Sequence, residues 1–129
     1  MKSIRERVVA VVDDDARVLE SLEDLLESAG HTVHLFSSAQ ALLDNEVFGE
    51  IDCLISDIGM PTIDGFHLER LARAARPELP VILITGRLEL TNSHEGIGRR
   101  EKSTLLLKPF SEQDLLGAIN KALASQPRT

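Results

Sequence analysis

The stretch Ile51-Asp52-Cys53-Leu54-Ile55-Ser56-Asp57-Ile58-Gly59-Met60-Pro61-Thr62-Ile63-Asp64-Gly65 decides how the chain is read. Its apolar run, Cys53 to Ile55, has the character of a buried strand, and it ends in one carboxylate, Asp57. Pro61 and Gly65 then break the chain and turn it toward a helix. A charge at the end of a fully apolar strand is costly unless a partner or a cation compensates it.

Four more strand segments lie outward from this one. Val8-Val9-Ala10-Val11-Val12 suits a strand buried on both faces, and Asp13-Asp14-Asp15 follows at once. Thr32 to Phe36 is the next strand. Val81-Ile82-Leu83-Ile84 terminates in Thr85-Gly86, and Thr104-Leu105-Leu106-Leu107 leads into Lys108-Pro109-Phe110.

Helical periodicity fills the gaps. Val18, Leu19, Leu22, Leu25, Leu26 and Ala29 recur at three- and four-residue spacing, and Gly30 caps that helix. Ser37 or Ser38 caps a second helix carrying Ala39, Leu42 and Leu43. A third runs from Phe66 to Ala75, with Leu68, Leu71 and Ala72 toward the core, and Pro77 and Pro80 close it. A fourth belongs between Arg87 and Arg100, where Gly96 and Gly98 weaken it by about 1 kcal/mol each relative to Ala. Ser111 and Asp114 resemble a capping box ahead of Leu115, Leu116, Ile119 and Leu123.

Five strands alternating with five helices predict an α/β fold. It is a doubly wound parallel sheet of flavodoxin-like order 2-1-3-4-5 with right-handed crossovers. Functional groups in such sheets gather beyond the carboxyl ends of the strands. That rule collects Asp13, Asp14, Asp15, Asp57, Thr85 and Lys108 at one edge. Clustered carboxylates repel unless a cation sits among them, and an all-oxygen ligand set favours Mg²⁺ or Mn²⁺. A carboxylate can also be the nucleophile of phosphoryl transfer. The metal, Lys108 and the Thr85 hydroxyl would then meet the phosphoryl oxygens, with Gly86 allowing a close approach.

Composition narrows the class. The chain has 129 residues, 43% hydrophobic and 27% charged, which suits one soluble domain. No apolar run approaches the roughly 20 residues of a membrane helix, and no signal core follows the basic N-terminus, so a cytoplasmic protein with no membrane partner is expected. A net charge of −7 and the lack of Trp and Tyr argue against direct nucleic-acid binding by this domain. A single cysteine, Cys53, excludes an internal disulfide and reads as a core thiol. His31, His34, His67 and His94 show no ligand spacing.

The motifs Val-Val-Asp-Asp-Asp, Asp57-Ile-Gly-Met-Pro-Thr-Ile-Asp-Gly65, Leu-Ile-Thr85-Gly and Leu-Leu-Lys108-Pro-Phe, in that order, resemble the CheY-like receiver domain of two-component response regulators. The resemblance covers nearly the whole chain: residues 1–125 as the receiver and 126–129 as a polar tail. It implies Asp57 as the phosphoacceptor. It implies Mg²⁺ held by Asp14 directly, by Asp13 through water, by Asp57 and by the backbone carbonyl of Gly59. Thr85 becomes the switch hydroxyl and Lys108 the partner of the phosphoryl group. It also implies a cis Lys108–Pro109 bond, which proline makes accessible. The donor would be a sensor histidine kinase or phosphotransfer protein, and the output a change in binding to a downstream protein. Such a domain catalyses only its own phosphotransfer and dephosphorylation.

Three features depart from the family. Leu105 stands where an aromatic residue is usual, the segment Arg87 to Ser103 carries two glycines, and no output domain follows the last helix. The last leaves a single-domain regulator and a piece of a longer one both open. Leu105 and the glycines point toward the alternative of a pseudo-receiver, a binding module that is never phosphorylated, whereas the complete acidic pair, Asp57, Thr85 and Lys108 point away from it. A haloacid-dehalogenase-type phosphatase would use Asp13 and Asp15, but Arg17 stands where Thr or Val is expected. The register of the acidic pair is also open between Asp13-Asp14 and Asp14-Asp15. The former is preferred because it follows directly on Val12, leaving Asp15 to favour the helix dipole.

Overall fold

A computed structural model of the chain describes residues 7–45, 48–60, 63–86, 103–108 and 110–124. Five parallel strands form one sheet: β1 (Val8–Val12), β2 (Thr32–Phe36), β3 (Cys53–Asp57), β4 (Val81–Thr85) and β5 (Ser103–Leu107), in the order β2-β1-β3-β4-β5. Among the described residues the helices are α1 (Ala16–Ser28), α2 (Ala39–Asn45), α3 (Gly65–Ala75) and α4 (Glu112–Ala124). The expected helix between Arg87 and Arg100, the Lys108–Pro109 bond and the C-terminal tail lie outside the described residues.

The sheet alternates its side chains between two apolar layers, as strand geometry demands. On one face Ala10, Val12, Leu54, Val81 and Leu83 pack with Ala39 and Leu42 of α2 and with Phe66, Leu68 and Ala72 of α3. On the other, Val9, Val11, Cys53, Ile55, Ile82 and Ile84 pack with Leu19, Leu22 and Leu26 of α1 and with Leu115, Ile119 and Leu123 of α4. Cys53 is one of these core side chains, and burial pushes its thiol up to about 12, with Asp52 adding to the shift. It is therefore a protonated, unreactive thiol.

Caps fix the helix ends. The Ser38 hydroxyl accepts from Ala41 N–H at 3.1 Å, which opens α2. Gly30 (φ +94°) closes α1: its N–H donates to Glu27 O and the His31 N–H to Leu26 O, both at 3.0 Å, a Schellman motif. At α4 the Ser111 hydroxyl accepts from Asp114 N–H at 3.0 Å.

Three charged residues tie the fold together from positions that apolar periodicity does not flag. Glu69 of α3 is only 1% exposed and pairs with Arg73 at 3.6 Å, while Arg73 also donates to Leu79 O at 3.2 Å. Arg76, just past α3, donates to Phe48 O and Ile51 O at 2.5 and 2.6 Å and so holds the segment leading into β3.

Candidate phosphorylation site

Strand register builds the site. Val12 of β1 lies beside Ser56 of β3, so the next residues, Asp13 and Asp57, come level at the carboxyl edge. Asp57 pairs with Ile84 of β4, and Thr85 follows directly as the last residue of that strand. Thr85 pairs with Leu107 of β5, and the Lys108 N–H donates to Thr85 O at 2.7 Å. Four strand ends thus converge.

Asp13, Asp14 and Asp57 each offer a carboxylate oxygen, and these oxygens lie within 4.8 Å of one another. Asp13 is 0% exposed and Asp57 8%, whereas Asp14 faces water. The Lys108 ammonium spans the pair, at 3.3 Å from Asp13 Oδ2 and 3.6 Å from Asp57 Oδ1. Asp13 is anchored further by Asp15 N–H, which donates to its Oδ1 at 2.9 Å. Burial above all, then Asp13, pushes the Asp57 carboxyl above the usual carboxylate range; Lys108 pulls it back, and Asp14 adds a smaller upward push. A carboxyl raised chiefly by burial and like charge is one that a divalent cation would favour in its ionised form. Three oxygen donors with one lysine as counter-charge suit a hard cation such as Mg²⁺.

Asp15 is not in this cluster. It is the N-cap of α1, where its Oδ1 accepts from Arg17 N–H at 2.9 Å, a more specific role than helix-dipole charge. The acidic pair drawn together with Asp57 is therefore Asp13 and Asp14. Thr85 is at the same edge and 1% exposed, and in the segment that leaves Asp57 Gly59 is exposed between buried Ile58 and Met60. A Cβ added at Gly86 would meet only Lys108, at 3.7 and 3.9 Å, so neighbouring protein atoms do not demand glycine there. Gly65 is the opposite case. A Cβ there would lie 2.6 Å from Asp57 O and 2.8 Å from Ile58 Cα. Asp64 and Gly65 are the N-cap and first residue of α3, and Gly65 is pressed onto the end of β3.

Beside the site a cleft of about 660 Å³ opens between α1 and the start of α4, with Val18, Leu22, Leu25 and Phe110 among its apolar lining residues. Lys108 lines it too, so the cleft and the acidic cluster share a wall.

Doubly wound topology, three converging carboxylates and a strand-end lysine together define a receiver domain of two-component signalling. The family model for the response regulator receiver domain matches residues 9–120, and the chain belongs to that family. The response regulator protein TmoT of Ectopseudomonas mendocina is 37% identical over 124 residues, 96% of this chain and 56% of the relative. The transcriptional regulatory protein FixJ of Bradyrhizobium diazoefficiens is 35% identical over 89% of this chain and 56% of its own length. This chain spans about half the length of these curated relatives. Among solved structures, the receiver domain protein from Clostridium thermocellum superposes with a TM-score of 0.81 at 31% identity, covering 92% of this chain and 94% of that one. Residues 9–120 are thus a signalling domain of the two-component kind. No helix among the described residues is long and apolar enough to cross a membrane.

Proposed function

We propose that residues 1–125 form a phosphorylation-dependent switch that accepts a phosphoryl group on Asp57 from a sensor histidine kinase or phosphotransfer protein. The observation that carries this reading is the convergence of Asp13, Asp14 and Asp57 within 4.8 Å, with Lys108 across Asp13 and Asp57. Asp13, Asp14, Asp57 and the Gly59 carbonyl would hold Mg²⁺, which when bound neutralises phosphoryl oxygens.

The chain's own groups do the rest. An ionised Asp57 oxygen attacks phosphorus in line; the new P–O bond forms as the P–N bond of phosphohistidine breaks, and the freed imidazole nitrogen takes a proton from solvent. Lys108, already beside Asp57 Oδ1, meets the negative charge that arrives. Thr85, buried at the end of the neighbouring strand, supplies the hydroxyl that reports phosphorylation to the rest of the fold. The apolar cleft that shares Lys108 gives the donor protein a surface next to the acceptor. Output is altered binding to a downstream protein, in the compartment of the cognate kinase, the cytoplasm.

One observation favours the pseudo-receiver alternative. Leu105 packs half-buried against the layer formed by α2 and α3, so no aromatic ring is available at that position to move between buried and exposed states. Intact-mass measurement after incubation with acetyl phosphate and Mg²⁺ separates the readings. The switch gains one phosphoryl group; a pseudo-receiver gains none.

A further inference from the structure

Ser56 is 0% exposed, and its hydroxyl donates to the carbonyl oxygen of the next residue, Asp57, at 3.0 Å. Its register neighbours are Val12 and Leu83, both in the apolar layer under α2 and α3. A hydroxyl among such neighbours is costly unless it is bonded, and an alanine or valine would fill the position without that cost. The bond it makes grips the peptide that joins Asp57 to Ile58.

The same peptide is held from two other directions. Its N–H, on Ile58, donates to Ile84 O at 2.8 Å. Its face is covered by Gly65, where a Cβ would stand 2.6 Å from Asp57 O, 3.1 Å from Asp57 C and 2.8 Å from Ile58 Cα. Approaches of that kind exist only where no Cβ intervenes, and the atoms met are backbone, which cannot swing aside. Ile58 O in turn accepts from Met60 N–H at 2.9 Å and Gly65 N–H at 3.0 Å, closing the loop that carries Gly59. The Asp57–Ile58 peptide therefore lies at the junction of the Asp57 side chain and the Gly59 loop.

We propose that Ser56 and Gly65 are positioning residues of the phosphorylation site, which lock the Asp57–Ile58 peptide so that the Asp57 carboxylate and the Gly59 loop are held in metal-binding register. Neither residue is among the proposed ligands of the metal or the phosphoryl group. The lock extends the proposed function and rests on the metal site described there. Groups that orient a metal ligand without touching the metal typically contribute about 10- to 100-fold to affinity.

Mn²⁺ binding, followed by electron paramagnetic resonance of the free ion, tests this without phosphorylation. Ser56→Ala and Gly65→Ala are each expected to weaken Mn²⁺ binding about tenfold at a temperature where both remain folded. Ser56→Thr, which keeps the hydroxyl, is expected to stay close to wild type. Leu26→Ala, a cavity in the opposite layer, lowers the melting temperature and leaves Mn²⁺ affinity unchanged. Should Gly65→Ala fail to fold, Ser56→Ala and Ser56→Thr decide alone. Wild-type Mn²⁺ affinity in Ser56→Ala, whatever its melting temperature, overturns the lock, as does a wild-type protein that binds no Mn²⁺. A wild-type protein that binds Mn²⁺ but takes no phosphoryl group from acetyl phosphate overturns the phosphorylation reading and leaves the lock to be judged by the metal titration.

Discussion

Replacing Asp57 by Asn is expected to stabilise the metal-free protein, although it removes an ion pair. The charge terms nearly cancel. Lys108 lies 3.6 Å from Asp57, an attraction of about 4.6 kcal/mol at an effective dielectric of about 20. Asp13, buried and within 4.8 Å, repels by about 3.5 kcal/mol on the same scale. Asp14 faces water, which reduces its repulsion to about 1 kcal/mol. Desolvation therefore decides the sign. A carboxylate only 8% exposed carries an effective burial cost of several kcal/mol, of which a buried Asn amide keeps about 1–3 kcal/mol. The difference is a net gain of about 1–2 kcal/mol, or roughly 4–8 °C in melting temperature for a chain of this size.

The pH dependence has a definite direction. Burial raises the folded-state pKa of Asp57, so the folded protein holds that proton more tightly than the unfolded chain does. Wild type loses stability relative to Asp57→Asn as pH rises through the raised pKa, and the gap closes below the ordinary carboxylate range. Thermal melts in chelator at pH 7 and pH 3.5 check both statements. Mg²⁺ is expected to reverse the ranking by stabilising wild type through mass action. A metal-free Asp57→Asn protein that melts at or below wild type at neutral pH refutes the reasoning, because the site would then carry no unrelieved burial of charge.

Two other perturbations have clear outcomes. Asp14→Ala, which removes the exposed member of the cluster, is expected to abolish the rise in melting temperature that Mg²⁺ gives wild type, as read by calorimetric scans with and without the ion. Gly30→Ala must place a side chain at φ +94° and is expected to cost about 1–2 kcal/mol by urea unfolding, with Mg²⁺ affinity unchanged.

β1 was legible in the sequence to the residue because its apolar run stops where the strand stops, and β2 was read over its full span, Thr32–Phe36. The other three strands extend beyond their apolar runs, taking in Ser56 and Asp57, Thr85 and Ser103. Ladder hydrogen bonding continues there after the side chains have turned polar, and hydrophobicity does not register it. The meeting of Asp13, Asp14, Asp57, Thr85 and Lys108 at one edge was legible for a related reason: in a parallel sheet the residues at the ends of the apolar runs share the carboxyl edge. What stayed hidden depends on contacts between distant segments. Gly65 reads as a turn until the backbone of Asp57 is seen against it. Glu69 reads as the solvent side of a helix, yet it is buried beside Arg73. Asp52 looks like a loop charge, yet its carboxylate accepts from Val8 N–H at 2.8 Å and fastens the start of β1 to β3. For Asp13, Asp14 and Asp15 the sequence preferred the first two as the acidic pair, and what it did not show is the capping bond that holds Asp15 on the helix.

Where the phosphoryl group lands is the most direct test. After incubation with acetyl phosphate and Mg²⁺, borohydride reduction converts a phosphorylated aspartate to homoserine, and tandem mass spectrometry of the peptides reads its position. Homoserine is expected at position 57 alone, and Asp57→Asn is expected to show none. Homoserine at position 13 or 14, or none anywhere in the wild-type chain, would contradict the assignment of Asp57 as the phosphoacceptor.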